Sequence, residues 1–313
     1  MKKVLAAAAM LALSTGSAFA ADWKPDGPIR LWIGYGAGGG TDVQARMLAK
    51  ELEQTRGWIL VPENKSGEDG AVMSAQLKNE APDGQTLGFA ITTTYNFAPM
   101  NSDNISPEDF TYITTTAGSQ MAVLARTSSG WKSLDDVKAA AEAGETLVWA
   151  NWGTQVEAGA EVIARKLGIT VNHLRTAGGK GALNAVVAED ANLSWGGGVQ
   201  RPLVEAGELT ILSSAESTHL VQAPDTPTLK EQGIDLDLGY KYIIVAPKGM
   251  SDEVRDTIAE AVAEILNNPE SETRKFIEKQ YPPAPVIETG DALRKTIIDG
   301  YAANVEMMKA LVE

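Results

Sequence analysis

The chain has 313 residues, no cysteine, and 27 basic against 41 acidic residues, which gives a formal net charge of −14. The absence of cysteine excludes a disulfide framework, thiol catalysis and cysteine-bound metal, and the acidic charge argues against nucleic acid or an anionic membrane surface as partner. A chain of this length ordinarily folds into two domains.

The first residues have the features of a secretory signal peptide. Lys2 and Lys3 precede the apolar run "VLAAAAMLALSTG", which ends in the A-x-A pattern at residues 18–20. A basic start, a short apolar core and such an exit are typical of exported proteins, whereas a membrane-spanning helix needs about 20 apolar residues. We therefore expect residues 1–20 to be a signal peptide cleaved near Ala20, and the remaining chain to be periplasmic.

Beyond this segment, short apolar runs alternate with segments of helical periodicity. The apolar runs predict strands at 29–35, 58–64, 86–92, 121–127, 146–151, 169–174, 192–196, 209–215 and 240–246. Apolar residues at a 3.6-residue period predict helices at 41–56, 134–143, 155–167, 180–188, 251–266 and 290–312. Strands and helices in alternation indicate parallel sheets with helical crossovers, and so the α/β class.

Two distant segments have the same arrangement and suggest a hinge. "MAVLARTSSGWKSLDD" and "YKYIIVAPKGMSDEV" each contain an apolar strand, a polar turn with glycine, and a serine, Ser133 or Ser251, that caps a helix. Such a pair is expected where two strands join two lobes, and two ordinary βα units in one large sheet are the alternative. The predicted lobes are 21–120 together with 222–313, and 121–221.

The segment "IRLWIGYGAGGGTD" runs from the first predicted strand through a glycine-rich loop into a predicted helix. Gly34, Gly36 and Gly39 fit the spacing G-x-G-x-x-G, and Glu63 lies 24 residues beyond the last of them. Glycines let a ligand approach the main chain closely, and the free N–H groups and dipole of a helix start attract an anion. A dinucleotide, a small organic anion and a tight turn without ligand are all compatible with this pattern.

The compartment favours the small organic anion. A nicotinamide or flavin enzyme would have to bind its cofactor outside the cytoplasm, where such cofactors are scarce. In addition, Asp42 places a negative charge where a pyrophosphate would have to lie. We therefore expect neither a cofactor nor a metal.

Five motifs follow one another at compatible spacing along the chain. They are "GAGGGTD" (36–42), "VPENKSGEDG" (61–70), "APDGQTLGFA" (81–90), "APDTPTLKEQG" (223–233) and "VAPKGMSDEV" (245–254). They resemble the motifs P-P-G-G-G-T-D, V-E-N-R-P-G-A-G-G, A-P-D-G-Y-T-L-L, L-P-D-V-P-T-x-x-E-x-G and L-A-P-A-G-T-P-x-E-V of the solute-binding receptors of tripartite tricarboxylate transporters, the Bug family.

The resemblance implies a two-lobed, periplasmic-binding-protein-like fold (Venus flytrap, type II), with two α/β domains joined by a two-strand hinge. It also implies a small organic carboxylate as ligand and, as partner, the membrane permease of a tripartite tricarboxylate transporter. In the family, one carboxylate is held by one loop from each lobe. These loops carry over to Gly38, Gly39, Gly40, Thr41 and Asp42 on the first lobe, and to Gly153 and Thr154 on the second. We expect a monomer.

Several residues depart from the family's motifs at positions expected to line the distal half of the cleft. Trp152 replaces a small or polar residue, "RTAG" beginning at Arg175 replaces P-Y-K-G, and "NLSWGGG", which contains Trp195 and Gly196, replaces D-V-M-F-D-N. The two tryptophans are candidates to stack on the ligand, with packing under loops as the alternative. Arg175 is a candidate for a second carboxylate, or a surface arginine.

Two tyrosines complete the candidate ligand-binding residues. Tyr35, where the family usually has phenylalanine, is expected to pack at the mouth of the cleft. Tyr95, in "TTTYNF" after the third predicted strand, could donate a hydrogen bond to the ligand.

Catalytic motifs are sparse. The two histidines, His173 and His219, have no regular partner spacing, and the sequence contains no G-x-S-x-G, Walker or H-E-x-x-H motif. The acidic pairs Asp135-Asp136 and Glu68-Asp69 are interpreted as a helix cap and solvated loop charge. The sequence therefore predicts a binding receptor and no enzyme. An exported α/β hydrolase or oxidoreductase acting on a small organic acid is the alternative, and a scaffold or adhesion module is a third class.

Overall fold

The computed structural model describes residues 23–281 and 285–312, so the predicted signal peptide lies outside the described residues. The described chain forms two five-stranded sheets. The first contains β1 (Ile29–Ile33), β2 (Leu60–Asn64), β3 (Thr86–Ile91), β4 (Phe110–Gly118) and β10 (Lys241–Pro247). The second contains β5 (Ala122–Arg126), β6 (Leu147–Asn151), β7 (Val171–Arg175), β8 (Leu193–Gly196) and β9 (Leu209–Ser214).

The two sheets have the same topology. In the first, with strand order β2-β1-β3-β10-β4, β1 is parallel to β2 and β3, and β10 runs antiparallel between β3 and β4. In the second, with order β7-β6-β8-β5-β9, β6 is parallel to β7 and β8, and β5 runs antiparallel between β8 and β9. Parallel neighbours require crossovers, which are helical here. The predicted α/β class is confirmed.

The helices follow the strands in alternation. They are α1 (Gly40–Arg56), α2 (Ala71–Leu77), α3 (Thr93–Asn96), α4 (Leu134–Glu142), α5 (Thr154–Leu167), α6 (Gly179–Val187), α7 (Arg201–Glu205), α8 (Asp252–Asn267), α9 (Glu272–Gln280) and α10 (Gly290–Val312). Ser133 and Ser251 cap α4 and α8 as predicted, each accepting a hydrogen bond from a backbone N–H in the first turn. None of the described helices is both long and apolar enough to cross a bilayer.

All nine predicted strands overlap an observed strand, but β4 is not among the predictions, because its apolar pattern is weak. Its segment "FTYITTTAG" contains Thr114, Thr115 and Thr116, which are fully buried. Threonine suits a strand because it is β-branched, yet its hydroxyl makes a buried strand look polar. The helices α2, α3 and α7 are also absent from the predictions, because they are too short to show a clear period. The helix α9 is absent because its only apolar residues, Phe276 and Ile277, are adjacent and show no period.

The chain passes between the sheets at two adjacent places. One connection, between β4 and β5, contains Ser119, and the other, just before β10, contains Tyr240. The backbone N–H of Ser119 donates to the carbonyl of Tyr240 at 2.8 Å, and the N–H of Tyr240 donates to the Ser119 hydroxyl at 2.9 Å. Two hydrogen-bonded segments, which continue β4 and precede β10, therefore join the two lobes, and this confirms the predicted hinge.

Each lobe has its own hydrophobic core. The second is centred on Trp149 and Trp195, whose rings stack with centroids 5.0 Å apart. Residues within 229–238, which the sequence assigned to the first lobe, pack in this second core. We propose that the second lobe continues to about residue 238, and the other lobe borders stay predictions. The helix α10 packs on the first lobe, against β4 and α3.

Candidate functional site

A cavity of about 350 Å³ lies between the two lobes. Its walls are formed by the start of α1 and the loop before it, by the start of α6 and the loop before that, and by residues near the hinge. The lining residues used below are Tyr35, Gly36, Gly39, Gly40, Thr41, Trp152, Ala177, Gly178, Gly179, Lys180, Gly197, Tyr240 and Tyr242. Its size is within the usual range for small-molecule pockets, so one small ligand can contact both lobes at once.

Close packing explains why the loop before α1 is rich in glycine. Gly38 has a φ of +76°, in the left-handed region that favours glycine. A Cβ on Gly36 would lie 2.5 Å from the carbonyl oxygen of Ala177 on the other lobe, and a Cβ on Gly40 would overlap the hydroxyls of Tyr242 and Tyr281. The loop therefore brings its main chain against the opposite wall.

The helix α1 starts in this wall without a side-chain cap. Gly39 is the N-cap residue and supplies no side-chain acceptor, so the first N–H groups of α1, at Gly40 and Thr41, have no intrahelical partner. Both residues line the cavity. These amides and the helix dipole favour an anion at this end of the cavity.

Asp42 braces the loop. Its buried carboxylate accepts hydrogen bonds from the N–H of Gly38 at 2.8 Å, from Arg46 Nε at 2.8 Å and from Asn64 Nδ2 at 2.9 Å. Burial by itself would raise the pKa of Asp42, but these hydrogen bonds outweigh it and lower the pKa. The carboxylate therefore stays ionised, holds the glycine loop in shape, and is absent from the residues that line the cavity.

The opposite wall repeats the arrangement of a glycine loop and a helix start. Gly178, with a φ of +127°, precedes α6, and Lys180 lies in the first turn of that helix. The Lys180 ammonium reaches the glycine loop of the first lobe, where a Cβ on Gly38 would lie 3.1 Å from Nζ. Within 23–281 and 285–312, Lys180 forms no ion pair with a carboxylate. Its charge is thus available to an anion in the cavity.

Three tyrosines lie behind these walls. The ring centroids of Tyr240 and Tyr242 are 5.5 Å apart, those of Tyr242 and Tyr281 are 5.0 Å apart, and a Cβ on Gly197 would overlap the Tyr240 hydroxyl. Burial raises the pKa of Tyr240 to about 12 and that of Tyr242 well above its ordinary value. The hydroxyls of Tyr240 and Tyr242, which line the cavity, therefore stay protonated and can donate hydrogen bonds to an anion.

The second predicted loop is already bound by a carboxylate of the protein itself. At the start of α5, the N–H of Thr154 donates a hydrogen bond of 2.7 Å to Asp69 Oδ2, and Asp69 packs so closely on Gly153 that a Cβ there would overlap it. Burial raises the pKa of Asp69, an effect that the hydrogen bonds from Thr154 only partly offset. The prediction that Glu68-Asp69 is solvated charge is therefore wrong for Asp69.

The two predicted loops consequently line different cavities. Gly153 and Thr154 belong to a second cavity of about 380 Å³ that also contacts Asp69 and Arg175. Trp152 lines both this cavity and the first one. The structure thus places Gly39, Gly40 and Thr41 opposite the start of α6, where the family's pattern had suggested the start of α5.

The other candidate residues are placed as follows. Tyr35 lines the first cavity, and its hydroxyl lies 3.0 Å from the carbonyl oxygen of Asp69 and 3.0 Å from the Thr94 hydroxyl. Tyr95 is fully buried in the first lobe, with its hydroxyl 3.5 Å from that of Ser74. It does not line the cavity, because it packs between Phe110 and Tyr112.

Trp195 and Gly196 do not line this cavity either. Both lie in the buried strand β8, and Trp195 Nε1 donates to Asn151 Oδ1 at 2.9 Å inside the second core. Arg175 is exposed and makes two hydrogen bonds to the Glu157 carboxylate, of 2.8 and 3.1 Å. Trp195 thus packs inside the second lobe and Arg175 lies at the surface, which were the alternatives to ligand binding for these two residues.

Sequence reasoning missed Lys180, Tyr240, Tyr242 and Asp69. A signal existed for Lys180, because "TAGGKG" leads from a strand into a helix through glycines, as the first loop does. A signal also existed for Asp69, since the family's motif G-A-G-G has glycine where this chain has aspartate. No local pattern marks the two tyrosines, which reach the cavity only because β10 follows the hinge.

Comparison with known proteins agrees with this architecture. Residues 44–308 match the family described as "Tripartite tricarboxylate transporter family receptor". A "UPF0065 protein in gbd 5'region" of Cupriavidus necator is 30% identical over 271 residues, covering 85% of this chain and 83% of that protein. Protein BugT of Bordetella pertussis is 26% identical, covering 96% and 94%.

A solved structure has the same fold. MatC from Rhodopseudomonas palustris, with bound malate, superposes with a TM-score of 0.79 at 22% identity, covering 90% of this chain and 98% of that one. At that identity the likeness concerns the fold, which is that of a two-lobed binding protein.

Proposed function

This chain belongs to the tripartite tricarboxylate transporter receptor family, and we propose that it captures a small organic carboxylate between its two lobes. We propose further that it does so in the periplasm, as a monomer, and that the closed form delivers the acid to the permease of a tripartite tricarboxylate transporter. The family membership supports the receptor role, and the geometry of the cleft supports the class of ligand.

One observation supports the proposed class of ligand. The start of α1 on the first lobe and the start of α6 on the second lobe face the same cavity of about 350 Å³, together with the Lys180 ammonium. Amide donors, two helix dipoles and a cation all favour negative charge, and they act more strongly where water is largely excluded. The arrangement favours an anion, and the family membership favours a carboxylate as that anion.

Capture follows from the position of the cavity. A ligand acid group that contacts Gly40 and Thr41 on one lobe and Lys180 on the other makes all of its contacts only when the lobes are close together. Ligand binding therefore favours the closed form by the difference in affinity between the two forms. The hinge at Ser119 and Tyr240 permits this motion because two connections join the lobes there.

The histidines favour the receptor over the alternative of an enzyme. His173 bonds Asn151 and Glu161, and His219 bonds Glu231 and the carbonyl of Pro224. Neither lines the cavity. Among the residues that the structure describes, no group of acids and histidines could hold a metal ion.

A thermal-shift screen tests the proposal. The purified mature chain is heated with a panel of organic acids that includes malate, citrate, benzoate and glutamate, and hits are confirmed by calorimetric titration. A ligand at 100 times its Kd adds about 2.7 kcal/mol to the free energy of unfolding, which corresponds to several degrees in Tm. Acid binding that survives combined Gly40→Ala and Lys180→Gln substitution, or chemical conversion of the acid, would contradict the proposal.

A further inference from the structure

Asp69 is a carboxylate of one lobe bound to a helix start of the other. It lies in the loop between β2 and α2, while Thr154, whose N–H it accepts at 2.7 Å, opens α5 in the second lobe. Asp69 and Glu68 before it have φ values of +55° and +47°. Residues other than glycine seldom adopt this conformation, so the loop holds Asp69 against the second lobe at some cost in backbone energy.

A smaller cavity adjoins both the binding cavity and this carboxylate. It has a volume of about 120 Å³ and is lined both by Tyr35 and Gly36, which belong to the binding cavity, and by Glu68 and Asp69. Trp152 lines both as well. A ligand whose acid group lies at the start of α1, and whose body passes Gly36 and Trp152, therefore approaches Asp69.

The charges at the two ends of this space are opposite. Lys180 and two helix starts make one end positive. At the other end, Glu68 and Asp69 are negative. Arg175, which lines the cavity of about 380 Å³ together with Asp69, is already bound by both oxygens of Glu157. The N–H of Thr154, a donor at the start of α5, is also taken by Asp69.

We propose that Asp69 is a specificity-determining residue that excludes a second acid group, so that this receptor takes ligands with a single carboxylate. The far end of the ligand is then neutral or carries an amino group, which complements the negative end of the cleft. This inference rests on the proposed function, because it concerns the same ligand. The proposed single-acid ligand differs from the ligand of MatC, malate, which has two acid groups.

Matched ligands test the inference by calorimetric titration at low salt. The probes are butanoate, butanedioate and 4-aminobutanoate, with the corresponding five- and six-carbon sets, so that chain length is constant within each set. For the wild-type chain we expect the diacid to bind at least about tenfold more weakly than the best single-acid ligand of its set. This is the size expected for two like charges several ångströms apart in a partly screened site.

Three variants distinguish the effect of the Asp69 charge from a structural role of this residue. Asp69→Asn keeps an oxygen that can accept from Thr154 but removes the charge, and we expect it to reduce the preference against diacids by about tenfold. Asp69→Gly, which suits the positive φ, should do the same if the asparagine variant folds poorly. Glu53→Gln removes an exposed acid near the other end of α1 and should leave the preference unchanged.

The outcomes distinguish this inference from the function on which it rests. If the wild-type chain binds acids but prefers diacids, or if both Asp69 variants keep the wild-type preference, the inference is overturned and the receptor function stands. If the wild-type chain binds none of the acids tested here or in the wider screen, the proposed function itself fails. A merely structural role of Asp69 would lower all affinities together and leave their ratio unchanged.

Discussion

The hydroxyl of Ser119 donates a hydrogen bond of 2.7 Å to the carboxylate of Glu216 at the hinge between the lobes. The same carboxylate oxygen accepts the N–H of Met121 at 2.7 Å, and the Ser119 hydroxyl accepts the N–H of Tyr240 at 2.9 Å. Glu216 therefore links both connections of the hinge. Burial raises the pKa of Glu216 to about 7, since the hydrogen bonds to it only partly offset the loss of solvent.

This raised pKa predicts a pH-dependent stability. Between the ordinary pKa of 4.5 and a pKa of about 7, the folded chain keeps a proton that the unfolded chain loses. The contribution of Glu216 to the free energy of unfolding is therefore complete below pH 4.5 and falls as the pH rises to about 7. Glu216→Gln should remove this dependence on pH. Relative to wild type, the free energy of unfolding of the variant should therefore rise by up to about 3 kcal/mol over that range.

Denaturant unfolding of both chains at a series of pH values measures this difference. The control is Glu208→Gln, which removes an exposed acid that precedes β9. If the difference between wild type and Glu216→Gln is the same at pH 4.5 and at pH 7.5, Glu216 is not the titrating group.

Lys180→Gln should weaken binding of the acid ligand by about tenfold, because it removes the cation at the anion end of the cavity. The remaining binding should also depend less on salt, since one screened charge has been lost. Calorimetric titration at low and high salt measures both effects. Lys50→Gln, an exposed lysine on α1 outside the cavity, is the control. Equal affinities for the Lys180 variant and the wild-type chain would remove Lys180 from the site.

Gly40→Ala should weaken acid binding by more than tenfold, because its Cβ would overlap the hydroxyls of Tyr242 and Tyr281 and displace the start of α1. Gly57→Ala at the other end of α1 is the matched control, since no atom lies near the added Cβ there. Its φ of +69° predicts a cost of about 1 kcal/mol in stability with unchanged affinity. Wild-type affinity in the Gly40 variant would show that the ligand does not contact this helix start.

Trp152→Ala should change the order in which the chain prefers its acid ligands, because Trp152 lines the binding cavity and the two cavities next to it. The loss should be greatest for ligands with aromatic or long apolar bodies. A ranking of Kd values across the panel measures the effect. Trp23→Ala, which changes a separate cavity in the first lobe, serves as control. An unchanged ranking would assign Trp152 to packing alone.

Local patterns were sufficient to predict much of this fold. The strands showed as apolar runs, most of the longer helices as 3.6-residue periods, and the caps Ser133 and Ser251 as polar residues before them. Such features depend on neighbours within a few residues, which is the range that sequence patterns describe. The strand β4 was not predicted for the same reason. Its buried threonines resemble a polar segment when their surroundings are unknown.

The candidate site was only partly predictable. The loop before α1 was identified because glycines at a strand-to-helix junction leave main-chain amides free, and Gly39, Gly40 and Thr41 do line the cavity. Trp195 and Tyr95 were indistinguishable from ligand-binding residues in the sequence. Their indole and phenol groups satisfy buried partners in this fold, and an aromatic residue type alone does not reveal on which face of a strand or helix it lies.

The sequence by itself determined the α/β class, the two lobes and the amide-rich turn at the start of α1, because backbone preference and apolar periodicity are local properties. Only the tertiary structure decided which charges face the cleft. Asp69 accepts a hydrogen bond from Thr154, 85 residues away, and Lys180 reaches Gly38 across the gap between the lobes. Electrostatic interaction depends on distance and burial in the folded chain, and neither quantity is encoded in the identity of a single residue or its neighbours.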